Sequence, residues 1–246
     1  MRALYDSKSK TIDDRGIKAL LSNEAKYSTW LMFEAMLAQA QAEHGFIPQS
    51  AADEIKEKAV IENIDFEEMN RIYQKIGHGF VPFLKVLVKA CSQESGKYVH
   101  YGITTQNIQQ SSQLYMMKTV HHKFMLLLGE IIENLANLAE KTKHMVMPGR
   151  THGRHAIPIT YGYKVSVWIS DFIDCYQRMR ECEKRVFTIM MGGAVGAFNS
   201  MPEVGMKVQK RVAELVGMEA MEVPSRNLST HKLEYMANLA LMANIC

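Results

Sequence analysis

The sequence has 246 residues, a formal net charge of +3, 47% hydrophobic residues and 22% charged residues. That balance excludes a disordered or collagen-like chain, and the charge is too even to advertise nucleic acid or a membrane surface as partner. The four cysteines, at 91, 175, 182 and 246, form no CxxC pair and read as reduced thiols of a cytoplasmic protein. No apolar run approaches the ~20 residues of a transmembrane helix. The opening stretch MRALYDSKSKTIDDRG lacks the apolar centre of a signal peptide.

Helical periodicity dominates and strand alternation is nearly absent. The spacing predicts a helix over 22–45, capped by Ser22, with Tyr27, Trp30, Leu31, Leu37 and Ala38 on its apolar face. Gly45 ends it ahead of Pro48. A more polar helix follows over 49–61 and a third over 66–76. Gly77-His78-Gly79 interrupts the pattern, and Pro82 opens a helix that ends near Gly96.

From Thr104 the pattern sharpens. Met117, Val120, Phe124, Leu127, Ile131, Leu135 and Leu138 recur at helical spacing, with no proline between 104 and 147. This predicts one helix of roughly ten turns, whose seam wants partner helices. A second long pattern runs through Tyr161, Val165, Trp168, Phe172, Cys175, Met179 and Cys182, with Pro158 near its start and Gly192-Gly193 closing it. Two further helices, about 201–216 and 229–246, complete the chain, the last reading as cut in mid-helix at Cys246. The predicted class is all-α: a short-helix N-terminal domain over 1–99, then a long-helix bundle over 100–246 that assembles between subunits.

Four segments could carry chemistry. Lys97 through Asn107 is a loop running into the longest helix, where Thr104, Thr105 and free backbone N–H groups converge. That arrangement suits a carboxylate or phosphate, or plain helix capping. Pro148 to His155 holds Arg150, His152, Arg154 and His155, within a stretch from Lys141 to Ser170 that has no acidic residue. Such a segment binds anions and moves protons, or is a solvated basic turn. Its HxxH pair lacks further zinc ligands. His78 between two glycines is either structural or close to a ligand. Gly192-Gly193-Ala194-Val195-Gly196 fails as a P-loop because no strand precedes it and no Lys-Ser/Thr follows. His121-His122, mid-helix, reads as surface and bundle packing.

Together these segments resemble the fumarase/aspartase superfamily, in the branch of adenylosuccinate lyase and 3-carboxy-cis,cis-muconate cycloisomerase. The markers are Trp30-Leu-Met-Phe-Glu34, the His78 turn, His100-Tyr-Gly-Ile-Thr-Thr-Gln106, Gly149-Arg-Thr-His-Gly-Arg-His-Ala156, Gly193-Ala-Val-Gly196 and Tyr235-Met-Ala-Asn-Leu-Ala-Leu241. The resemblance implies an all-helical fold and homotetramers whose active sites draw on several subunits. It implies β-elimination across a C–N or C–O bond, usually releasing fumarate, or a related lactonisation. No metal or organic cofactor is implied, and the partner is a small polycarboxylate. Carried over residue by residue, His152 and His78 are the catalytic pair, and Thr104 and Thr105 grip a substrate carboxylate. His100, Gln106, Arg150 and Thr151 complete the substrate contacts.

The departures matter as much. Asn107 stands where the family has Asp, Gln110-Ser111 where it has Asp-Thr, and Gly77-His78-Gly79 where adenylosuccinate lyases have Arg-His-Asp. Their phosphate-contacting Arg-Tyr aligns with Thr11-Ile12, and a Gln of their site falls near Arg226. These changes argue against a purine nucleotide and for a smaller polycarboxylate or amino-polycarboxylate. The family's flexible serine loop has no counterpart. Asn199-Ser200-Met201-Pro202 resembles it only superficially, and Ser200 reads as a helix cap. A non-catalytic scaffold derived from the lyase fold is the competing reading, motivated by that missing loop.

Overall fold

The computed structural model describes residues 13–246; the Thr11-Ile12 alignment lies outside the described residues. In chain order the elements begin with α1 (Ile17–Leu20), α2 (Asn23–Glu43), α3 (Gln49–Lys58), a 3-10 turn (Ile61–Asn63), α4 (Phe66–Ile76), α5 (Val81–Ala90) and α6 (Gln93–Gly96). The long α7 (Thr105–Lys141) follows, then β1 (Val146–Thr151) and β2 (Arg154–Thr160). The chain continues through α8 (Tyr161–Glu181), α9 (Glu183–Val186), β3 (Thr188–Ile189), α10 (Gly205–Val216), β4 (Glu219–Ala220) and α11 (Thr230–Ile245). The class is all-α, as the periodicity indicates.

The contacts divide the described residues into two compact units: residues 13–120 with 187–229, and residues 121–186 with 230–246. The first unit is organised on α2. Ser22 caps it by accepting from the Ala25 N–H at 3.1 Å, and the Phe46 N–H returns to the Gln41 carbonyl at 2.8 Å to close its end. The side chains of Trp30, Leu31, Phe33, Leu37 and Ala38 are buried, together with Ile55 of α3, Phe83 and Leu87 of α5, and Ile108 and Leu114 of α7. Trp30 packs against Phe80 and Phe83 at ring distances of 4.6 and 5.3 Å. Helix α10 lies on α2, and β3 pairs in parallel with β4.

The helix expected from Pro82 to Gly96 is two helices. Cys91 is extended, and Ser92 restarts the chain as the cap of α6. Glu54 accepts from the Ser92 N–H, the Ser92 hydroxyl and the Ser95 hydroxyl, which satisfies the break and holds its own pKa down. Ser200 does not cap a helix. It lies in a turn ahead of α10, whose N-cap is Val204 with no side-chain cap.

The second unit joins the later turns of α7 to α8, α9 and α11. Val165, Cys175, Met179 and Cys182 of the expected seam are buried, with Tyr235 and Met242 of α11. His121 is buried, its Nε2 3.1 Å from Glu183 and its Nδ1 3.3 Å from the Tyr235 hydroxyl. His122 beside it is exposed. Leu126, Ile131, Val167, Trp168, Leu233, Met236 and Leu241 of this unit also remain exposed.

The larger correction is the segment expected as a turn between the long helices. It is an antiparallel hairpin, with Val146 opposite Thr160, Pro148 opposite Pro158 and Thr151 opposite Arg154, and a bulge between Pro148 and Arg150. Both strands are edges, so two prolines cost no ladder hydrogen bond on their open sides. Pro158 therefore belongs to β2 rather than to the start of α8. Likewise α8 ends at Glu181, well before Gly192-Gly193.

Candidate active site

The expected site residues fall into two groups, one in each compact unit. In the first unit, Thr104 immediately precedes α7 and Thr105 and Gln106 open it. Neither threonine hydroxyl caps the helix. Instead the Asn107 Oδ1 accepts from the Thr104 N–H at 3.1 Å, while the Asn107 N–H donates to the Thr104 carbonyl at 2.8 Å. The same Oδ1 accepts from the Gly193 N–H at 3.0 Å, tying the glycine-rich segment to the loop. Asn107 is buried, and this double acceptance gives its side chain a structural role. Among the described residues nothing accepts from the Thr105 or Gln106 N–H or from either threonine hydroxyl. The positive end of a 37-residue helix thus keeps its first donors uncommitted.

His100 enters this loop with its side chain turned into the unit, Nδ1 lying 2.7 Å from Glu34 Oε1. Its φ is 59°, a left-handed conformation that costs a residue with a β-carbon about 1–2 kcal/mol. Phe80 packs on the same ring at 5.5 Å. His78 is exposed and does local work. Its Nδ1 accepts from the Phe80 and Val81 N–H groups at 3.1 Å each, capping α5, which leaves Nε2 as its free nitrogen.

In the second unit, the hairpin tip carries Arg150, Thr151 and His152. Two residues, His152 and Gly153, connect the strands, with φ of 51° and 75°. Two consecutive positive φ values make a type I′ turn, whose twist matches that of the strands. Glycine takes that conformation freely, and histidine is among the side chains that tolerate it. The turn therefore sets the His152 ring at the apex of the hairpin. Arg150 pairs with His155 across the ladder and Thr151 with Arg154, and all four are exposed. No carboxylate pairs with Arg150 or Arg154 among the described residues. Among the described residues no three His, Cys, Asp or Glu converge at metal-binding distance.

Sequence reasoning missed Glu34 and Gln41 as loop-holding residues. Both lie on α2 seven positions apart, a signal legible only once α2 is known to sit under the loop.

A protein-family model described as Lyase matches residues 9–246. Adenylosuccinate lyase of Methanocaldococcus jannaschii is 34% identical over 228 residues, 92% of this chain and 49% of that protein. N-acetyl-S-(2-succino)cysteine lyase of Enterococcus italicus is 31% identical over 227 residues, 92% of this chain and 50% of that protein. The crystal structure of β-carboxy-cis,cis-muconate cycloisomerase from Acinetobacter calcoaceticus sp. ADP1 superposes with a TM-score of 0.87 at 28% identity, covering 94% of this chain and 55% of that one. The chain spans about half the length of the curated relatives it matches. With the family matched over nearly every residue, the chain belongs to the fumarase/aspartase superfamily of lyases.

Proposed function

We propose that the protein catalyses cofactor-independent β-elimination on a small polycarboxylate, cleaving a C–N, C–O or C–S bond and leaving a fumarate-type double bond. The observation that carries this reading is the open N-terminus of α7, where two hydroxyls and two backbone N–H groups are left uncommitted. Loss of a proton next to a carboxylate places extra negative charge on that carboxylate. Fixed donors at a helix N-terminus stabilise such charge without reorganising. In this reading Thr104 and Thr105 grip the carboxylate, with Gln106 and His100 beside them. His152 protonates the leaving group, flanked by Arg150 and Thr151, and His78 offers its Nε2 as the second catalytic histidine. The proton acceptor is the family's loop serine, which has no counterpart in residues 1–246.

The substrate class rests on departures. Gly77 and Gly79 around His78 and Arg226 near a family glutamine argue against a purine nucleotide. A succinyl group on a small amine or thiol fits better, in line with the succinylcysteine-cleaving relative. Lactonisation is the second reading, supported by the likeness to a muconate cycloisomerase. Homotetramer formation belongs to the same proposal, as do a 1–99 domain followed by a bundle from 100 and a cytoplasmic location. Exposed Leu126, Ile131, Val167 and Leu241 support association through the bundle helices. So does the hairpin, with Val146 74% and Ile157 77% exposed. No helix among the described residues is long and apolar enough to cross a membrane.

The test is a panel of succinyl-amines, succinyl-thiols, adenylosuccinate and carboxymuconate offered to the full-length protein, followed by the absorbance of the new double bond. Turnover of a succinyl-thiol or succinyl-amine in preference to adenylosuccinate is expected. No turnover of any member would refute the reading.

A further inference from the structure

Beneath the loop that precedes α7 lies a set of buried polar atoms around His100, of which the mechanism above assigns no role to Glu34 or Gln41. The Glu34 side chain is 0% exposed and that of His100 12% exposed, with Oε1 and Nδ1 2.7 Å apart. Glu34 Oε2 and His100 Nε2 are buried without a hydrogen-bond partner among the described residues. Seven residues further along α2, on the same face, Gln41 Nε2 donates to the Tyr101 carbonyl at 2.7 Å. One face of α2 therefore reaches two consecutive loop residues with two polar side chains. The second of its contacts holds the backbone immediately after the strained His100, at φ 59°. Gln41 thus holds the chain next to a residue with a β-carbon at positive φ.

The 2.7 Å contact suits a carboxylate oxygen accepting from a proton on Nδ1. Resting on the elimination reading, we infer that Glu34 is a positioning residue. It fixes His100 as the tautomer protonated at Nδ1, with Nε2 as the uncommitted nitrogen. Through His100 it holds the loop, so that Thr104 and Thr105 stand ready for a substrate carboxylate. Glu34 touches no substrate; it acts through the histidine, as carboxylates that orient imidazoles do elsewhere.

The test compares full-length wild type, Glu34→Gln and Glu34→Leu, labelled with 15N-histidine, with His100→Gln to assign the resonance. Glutamine keeps an oxygen toward Nδ1 and leucine removes it. Wild type and Glu34→Gln are expected to show His100 protonated at Nδ1, and Glu34→Leu to shift towards the Nε2–H form. In elimination kinetics Glu34→Leu is expected to raise KM by about tenfold or more with a smaller change in kcat, and Glu34→Gln to stay within about threefold of wild type. An Nδ1 unprotonated in wild type, or a tautomer indifferent to Glu34→Leu, would overturn the inference. Equal losses in both variants, matched by equal losses of melting temperature, would assign Glu34 to folding alone and overturn it as well. If wild type eliminates nothing, the lyase reading fails, and the tautomer result by itself still decides whether Glu34 sets His100.

Discussion

Replacing Asn107 by leucine removes the one oxygen that accepts from both the Thr104 and the Gly193 N–H groups. Asn107 is 1% exposed, so water does not readily take its place. A buried N–H left without an acceptor costs about 1–3 kcal/mol. The Thr104 and Gly193 surroundings are only partly buried, so the lower half of that range applies to each and the pair costs about 2–4 kcal/mol. For a chain of this size each kcal/mol moves the melting temperature by roughly 2–4 °C, so Asn107→Leu is expected to melt about 10 °C lower. Asn107→Asp keeps an acceptor for both N–H groups and places negative charge in the first turn of a helix, where the dipole favours it. It is expected to lose less than half of what leucine loses, despite the burial. Thermal denaturation followed by circular dichroism measures both. A leucine variant within about 1 kcal/mol of wild type, or an aspartate variant worse than leucine, would refute the assignment of Asn107 as the clamp between the two segments.

Three further outcomes are expected. Gly162→Ala should destabilise the second unit by about 3 kcal/mol or more, because a β-carbon there meets the Ala139 carbonyl oxygen at 2.5 Å and the Lys143 amide nitrogen at 2.9 Å, both backbone; a urea midpoint unchanged from wild type would contradict the close helix approach. The same unit should have a bounded pH window. Burial lowers His121 and His231 below their ordinary 6.5, so the unfolded chain takes up those protons first as pH falls. Their contribution is full above 6.5 and lost below it, at no more than about 1.4 kcal/mol per pH unit per group. Burial pushes Tyr235 from 10.0 up to about 12, so its contribution is full below 10.0 and lost as pH climbs towards 12. Urea midpoints at about pH 5, 8 and 11 should peak at the middle value, and a midpoint that rises at either extreme would contradict this. Gln110 is buried with neither amide atom partnered among the described residues. Gln110→Met should accordingly be neutral or stabilising by about 1 kcal/mol in the same denaturation assay, and a loss above about 2 kcal/mol would show that the amide is satisfied in solution.

Several of the helices were legible because they carry a local signature. Ser22 caps α2, Asp65 caps α4, and Gly77 ends α4 in a left-handed conformation, all visible as residue types. The seam of α8 was legible for the same reason. The hairpin was not. Its strands carry Pro148 and Pro158, residues that argue for breaks until both strands are known to be edges, and its turn uses His-Gly where Asn-Gly is the usual signal. The break at Cys91 depends on Glu54, which is close only in space. Of the site, the types and order of His78, His100, Thr104, Thr105 and His152 were readable. What each does locally was not. His78 caps α5, His100 turns inward to Glu34, and Asn107 rather than a threonine organises the helix start, because these contacts come from tertiary packing that no spacing encodes.

The central claim, elimination gripped at the α7 N-terminus and protonated from the hairpin tip, is tested most directly by fumarate release from the preferred succinyl substrate. Three forms of the full-length protein are compared: wild type, Thr104→Val with Thr105→Val, and His152→Gln. The account expects the double valine variant to lose about 100-fold or more in kcat/KM, and His152→Gln to lose about 100-fold or more in kcat, with melting temperatures held. Fumarate release that survives both changes would contradict it.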